Sequence, residues 1–183
     1  MAESRIIADL LISNASKEEW KAALGTDNLL QVRSPATARR LSTLIRSRLE
    51  TMSEELWKLV RDGTLVVSTH ACLAATVKQS ALLSDFLELV VREQYQIFAV
   101  HLTKTQWEDY VVACQDRDPE LPDWSETTIR RLRSSVFQIL AQAGYIENTK
   151  TLKLQNLHIA DEVLTYLHKH DEDRVIRSIE ITT

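Results

Sequence analysis

One stretch, Asp123–Leu154, constrains the chain most: D-W-S-E-T-T-I-R-R-L-R-S-S-V-F-Q-I-L-A-Q-A-G-Y-I-E-N-T-K-T-L-K-L. Ser125 is placed to cap a helix, with Trp124 before it and Ile129 at the fourth helical position as a hydrophobic staple. At about 100° per residue, Ile129, Leu132, Val136, Ile139, Leu140 and Ala143 share one stripe. Thr127, Arg130, Arg131, Ser134 and Gln138 fall roughly opposite, and Gly144 supplies a left-handed stop. Beyond it, Tyr145–Glu147 and Thr151–Leu154 read as two short strands around Asn148–Thr149. Helix, stop and hairpin in that order predict a winged-helix-like unit that presents a recognition helix and a wing.

The remainder reads as helix. Glycine and proline number three each in 183 residues, too few turn formers for a large sheet protein. Glu3–Ile12 has an apolar face of Ile6, Ile7, Leu10 and Leu11, and Ser16 with Glu19 forms a capping box for a second helix that stops near Gly25. Ser34-Pro35 starts a helix that runs to about Glu50, because proline at the first helical position loses no needed donor. Its expected inward residues are Leu41, Leu44, Ile45 and Leu49, with Arg39 and Arg46 outward, Ser42 and Thr43 between them, and Arg40 on the flank. Arg48 falls inside the apolar stripe, which predicts partial burial against a carboxylate.

Ser53 starts the next helix, with Met52 and Trp57 as its staple, and Asp62-Gly63 ends it. Thr64–Ser80 is almost uncharged and reads as the buried hub of a bundle. Leu82–Phe98 follows with a broad apolar face, and Thr103 with Gln106 caps a helix reaching about Gln115. The acidic, proline-bearing link Asp116–Pro122 suggests a helical bundle over 1–118 and the winged-helix-like unit over 119–183, either as two subdomains or packed as one compact domain. A last helix is expected over Ala160–Lys169, while Arg174–Ile181 reads as a terminal strand or a helical extension.

The net charge of −4 argues against bulk coating of a polyanion, but the charge is uneven. Arg33, Arg39, Arg40, Arg46 and Arg48 precede the first acid of that region at Glu50. Arg130, Arg131, Arg133, Lys150 and Lys153 form a second basic region, so local patches decide where a polyanion sits. No phosphate-binding glycine loop, zinc-spaced cysteines or paired catalytic residues are evident, so no catalytic residue, metal or cofactor is expected. Cys72 and Cys114 lie in apolar patterns and suit a reducing cytosol, and core packing accounts for Trp20, Trp57, Trp107 and Trp124. Without a signal-like N-terminus or a span of about 20 apolar residues, a soluble cytoplasmic protein with no membrane contact is predicted.

Three stretches resemble the BrxA family of bacterial BREX (bacteriophage exclusion) systems: Ala38–Glu50, Ser80–Tyr95 and Trp107–Ile146. The most specific part is W-S-E-T-T followed by R-x-x-V-F-x-I-L-A-x-A-G-Y-I. The resemblance implies a small, non-enzymatic component of a phage-defence island. Its fold would be a helical bundle partly like the antitermination factor NusB, and its family is associated with DNA binding. System neighbours would include a DNA methyltransferase, a large ATPase, a phosphatase-like protein and a Lon-like AAA+ protein.

From face analysis, duplex DNA would meet Thr127, Arg130, Arg131, Ser134 and Gln138 in a groove, with Lys150 and Lys153 on backbone phosphate. Arg39, Arg40 and Arg46 would extend that contact or serve equally as a docking face for an acidic protein. An adaptor for other BREX components is therefore the principal alternative, and RNA binding the third reading.

Overall fold

Residues 1–181 are described by a computed structural model, and most of them are helical. The chain forms two compact units, one built from Met1–Ser80 and Ile159–Ile176, the other from Ala81–His158 with the segment beginning at Arg177. This partition differs from the expected break at 118/119. The acidic link is not a free tether: Leu121 N–H donates to Asp118 O (3.0 Å), and the Gln115 amide to Pro122 O (3.0 Å). Further along, Trp107 Nε1 donates to Ile129 O (3.3 Å), holding together the two helices that flank the link.

In unit 1, α1 (Ala2–Ile12) packs on α3 (Pro35–Leu49) and α4 (Glu54–Asp62), and both of those contact α5 (Leu65–Gln79). Between α1 and α3, α2 (Lys17–Lys21) runs into a π-helical turn, Ala22–Thr26. The unit is completed by α10 (Asp161–Lys169), which returns to α4 and α5. The expected starts are present: Ser16 and Glu19 form the capping box, and Ser34 accepts from Thr37 N–H ahead of Pro35. Ser53 departs from the pattern, because its N–H and hydroxyl both bond the Tyr166 hydroxyl (3.0 Å each) instead of capping α4. α5 is the hub, with His70 buried and its Nδ1 accepting from Ala160 N–H at 3.0 Å. Gly63 ends α4 where a Cβ would lie 2.4 Å from Leu59 O and 2.8 Å from Val67 Cγ1, so the close approach requires glycine.

Two expectations for α3 are corrected. Its buried residues are Ala38, Ser42 and Leu49, while Leu44 is 44% exposed. Because α3 contacts α1, α5 and the π turn together, its buried stripe rotates onto small side chains that allow close packing. Arg48 is half-buried as expected, but no carboxylate pairs with it among the described residues, and its Nε is buried without a partner. Burial lowers its pKa, opposed by the Cys72 thiol.

In unit 2, α6 (Ala81–Asp85), a π-helical turn (Phe86–Val91) and α7 (Arg92–Gln96) succeed one another where a single helix was expected. α8 (Lys104–Arg117) starts at the Thr103–Gln106 capping box and packs on α9 (Glu126–Ala143). Phe86, Trp107 and Tyr110 form the aromatic core, with ring centroids 5.0–5.8 Å apart. α11 (Asp173–Ile179) occupies the tail, so the strand alternative for Arg174–Ile181 is not realised. There Tyr145, fully buried, donates its hydroxyl to Ile179 O at 2.7 Å.

The expected hairpin is also corrected: no regular strand forms among the described residues. Instead, isolated antiparallel bridges join Ile146 to Leu154 and His101 to Lys153. Leu152–Gln155 thus sits between two short extended pieces, with Glu147 N–H donating to Lys153 O (2.8 Å) and Leu102 N–H to Leu152 O (2.9 Å). Each ladder is too short to continue because Asn148 turns the chain and Leu152 has a positive φ of 52°.

Candidate nucleic-acid interface

α9 is oriented by both ends and one face. Ser125 accepts from Thr128 N–H (3.3 Å) at its start, and Gly144, with φ 91°, stops it in the left-handed region that glycine occupies without strain. Val136, Phe137, Leu140 and Ala143 are buried beneath it; Phe137 is a core residue that the sequence stripe omitted. Arg133 also belongs to the packed side. It is 18% exposed and paired with Glu108 of α8, so it serves the fold and not the open surface.

The opposite face is as expected in placement. Thr127, Arg130, Arg131, Ser134 and Gln138 are all exposed. Their donors are not equally free, however. Arg130 pairs with Glu126 one turn earlier, and the Ser134 hydroxyl donates to Arg130 O at 2.9 Å. The Arg131 side chain has no ion pair or hydrogen bond among the described residues, which makes it the most available guanidinium of the helix.

The turn after Gly144 adds two ammonium groups. Asn148 Oδ1 accepts from Lys150 N–H (2.8 Å) and Thr151 N–H (2.9 Å), an Asx-type turn that leaves Lys150 and Lys153 exposed. Tyr95 fixes the base of this turn, its one hydroxyl proton shared between Gln155 O (2.7 Å) and the more distant Tyr145 O (3.0 Å). Burial pushes that phenol up to about 12.

Arg39, Arg40 and Arg46 lie on α3 in unit 1, and all three are exposed. The seven residues of α9 and its following turn are therefore gathered in one unit, and the three arginines of α3 in the other. Arg46 is the most engaged: Nε lies 2.7 Å from Glu50 Oε1, and the guanidinium carbon lies 5.0 Å from the centre of the Trp20 ring. Trp20 is thus half-exposed beneath a cation and does not share the core role of fully buried Trp107. Sequence spacing held no signal for that pairing, because the two residues come from different helices. Among the described residues, no group of three or more His, Cys, Asp or Glu side chains has a metal-holding arrangement, and no helix is long and apolar enough to cross a membrane.

Comparisons with known proteins agree on one family. The BrxA family model matches residues 1–171. A BREX protein BrxA from Paramagnetospirillum magneticum is 44% identical over 182 residues, covering 100% of this chain and 92% of that protein. A BREX protein BrxA from Escherichia coli O9:H4 is 28% identical over 178 residues, covering 97% and 84% respectively. A crystal structure described as an uncharacterized protein from Magnetospirillum magneticum superposes with a TM-score of 0.89 at 43% identity, covering 97% of this chain and 90% of that one. With the match running through both units and the α9 stretch, the chain belongs to the BrxA family.

Proposed function

We propose that the protein is a non-enzymatic, cytoplasmic DNA-binding component of a BREX phage-defence system; the names of its relatives support the BREX membership alone. The observation that carries this reading is the outward face of α9, where Thr127, Arg130, Arg131, Ser134 and Gln138 are exposed together, followed by the Lys150–Lys153 turn. The order of elements in unit 2 supports it: helix, bridged segment at 101, α8, α9, then the two segments bridged through 146, 153 and 154. That is the order of a winged helix with its sheet reduced to single bridges. α9 would enter a groove, Arg131 would reach phosphate or a base edge, and Lys150 and Lys153 would grip the backbone. Arg39, Arg40 and Arg46 would extend the contact from α3. Phosphate contacts dominate such a set, so affinity is salt-sensitive and sequence preference weak.

A mobility-shift titration with duplex DNA tests the reading. Arg130→Glu combined with Arg131→Glu should abolish the shift at moderate salt, and an unchanged affinity removes α9 from the interface. One observation favours the adaptor alternative: Ile97, Phe98 and Val100 are 63%, 90% and 60% exposed, an apolar group with no use on a phosphate backbone. Co-purification of other BREX components after nuclease treatment, by protein that leaves DNA unshifted, would establish that alternative. Preference for an RNA duplex over DNA in competition would establish the third.

A further inference from the structure

The surface where Arg46 covers Trp20 is more than a basic patch. An open groove of about 460 Å³ runs along α3, with Trp20, Arg39, Ser42 and Thr43 in its lining. A second, more apolar slot of about 330 Å³ is lined by Trp20, Leu24, Gly25 and Pro35, with Lys21 and Arg39 also bordering it. Both volumes fall within the range of small-molecule sites, about 300–1,000 Å³. Trp20, Leu24 and Arg39 belong to both linings, so a polar, cationic compartment and an apolar one share a wall.

Two polar side chains here have no hydrogen-bonding or ionic partner among the described residues. Among the described residues the Arg39 side chain has neither an ion pair nor a hydrogen bond, whereas Arg46 is occupied by Glu50 and Trp20. Ser42 is 4% exposed, yet its hydroxyl has no partner among the described residues, unlike Ser47, Ser134 and Ser135, which donate to their own helices. The Ser42 oxygen is not one of the side-chain atoms that are both buried and unpartnered, so it reaches solvent in the groove, beside the Arg39 guanidinium. The Ala22–Thr26 π turn adjoins Trp20, and irregular turns of that kind often mark functional sites.

We propose that this groove binds a nucleotide unit, with the phosphate on Arg39, Ser42 and Thr43 and the base in the apolar slot against Trp20. Guanidinium and hydroxyl donors together match phosphate oxygens, and an indole wall accepts any base face. Lys21 would take the next phosphate when the nucleotide belongs to a strand. Glu50 also lines the groove, paired with Arg46, and opposes either kind of anion alike; a run of peptide carboxylates suits the site less well because it brings no flat apolar group to fill the slot against Trp20. The inference rests on reading α3 as a polyanion-binding helix and is independent of α9.

The test uses the full chain carrying Arg130→Glu and Arg131→Glu, so that failure of the α9 interface does not register. Tryptophan emission is titrated with dAMP, a single-stranded oligonucleotide, a blunt duplex, inorganic phosphate and a glutamate-rich peptide. Trp20 is one of four tryptophans, so saturating quench should approach about one-quarter of the emission. Trp20→Phe should remove the quench, and Arg39→Glu should weaken binding at least about tenfold. Ser42→Ala should weaken binding without lowering the melting temperature, because that hydroxyl has no partner among the described residues. Quench by dAMP alone identifies a free nucleotide as the ligand; tighter quench by the single strand, reduced by Lys21→Glu, identifies a strand. Absence of quench by every nucleotide, or displacement by the peptide alone, overturns the proposal.

Discussion

The salt dependence of duplex binding provides a quantitative test of the α9 interface. Of its cations, Arg131, Lys150 and Lys153 are exposed without an ion pair among the described residues, and Arg130 is shared with Glu126. Three to four phosphate contacts release counterions with a slope of about −0.9 each in a plot of log affinity against log salt, giving about −2.7 to −3.6 in total. Between 50 and 200 mM salt, affinity should therefore fall about 40- to 150-fold. Arg131→Ala should reduce the slope by about 0.9, as the loss of one full contact. Glu126→Gln should act in the other direction, releasing Arg130 and tightening binding about 1.5- to 5-fold, the range of exposed ion pairs. Fluorescence anisotropy on a short duplex at several salt concentrations reads both effects, with melting curves to establish that each exposed-residue variant remains folded. A slope near zero, or a slope untouched by Arg131→Ala, refutes the reasoning. A slope much steeper than −3.6 would require the α3 arginines on the same duplex.

Two further predictions concern the scaffold, one in each unit. Tyr95→Phe removes two hydroxyl contacts at the base of the Asn148 turn and should cost about 0.5–1.5 kcal/mol in urea unfolding at neutral pH. Because burial raises the Tyr95 phenol to about 12, its stabilising share is complete below the ordinary value of 10.0 and disappears as pH rises through about 12. The phenylalanine variant should therefore lose less stability than the parent on alkaline titration, while Tyr110 and Tyr145, also raised by burial, retain the remaining pH dependence. In unit 1, Gly63→Ala forces a methyl against Leu59 O and should destabilise by about 1–3 kcal/mol, visible as a lower urea midpoint; an unchanged midpoint would show that the α4–α5 corner yields freely.

Much of the chain was legible because helix ends are local. The Ser16–Glu19 and Thr103–Gln106 boxes, the Ser34-Pro35 start, the Ser125 cap and the Gly144 stop each depend on residues three or four apart, and all are present. The outward face of α9 follows from the same short-range periodicity, so its exposed residues were named correctly from spacing alone. What tertiary structure decided involves partners distant in sequence. The return of α10 to α4 and α5 makes unit 1 discontinuous, and the contacts of α3 bury Ser42 while leaving Leu44 exposed. Glu108 draws Arg133 out of the basic face, and Arg46 settles over Trp20. The hairpin is reduced to single bridges, with Asn148 turning the chain and Leu152 at positive φ, and one of those bridges goes to His101, about fifty residues earlier. Local hydrogen bonds and periodicity are written in neighbouring residues; which apolar stripe is buried, and which charge remains free, depends on the surfaces that fold against it.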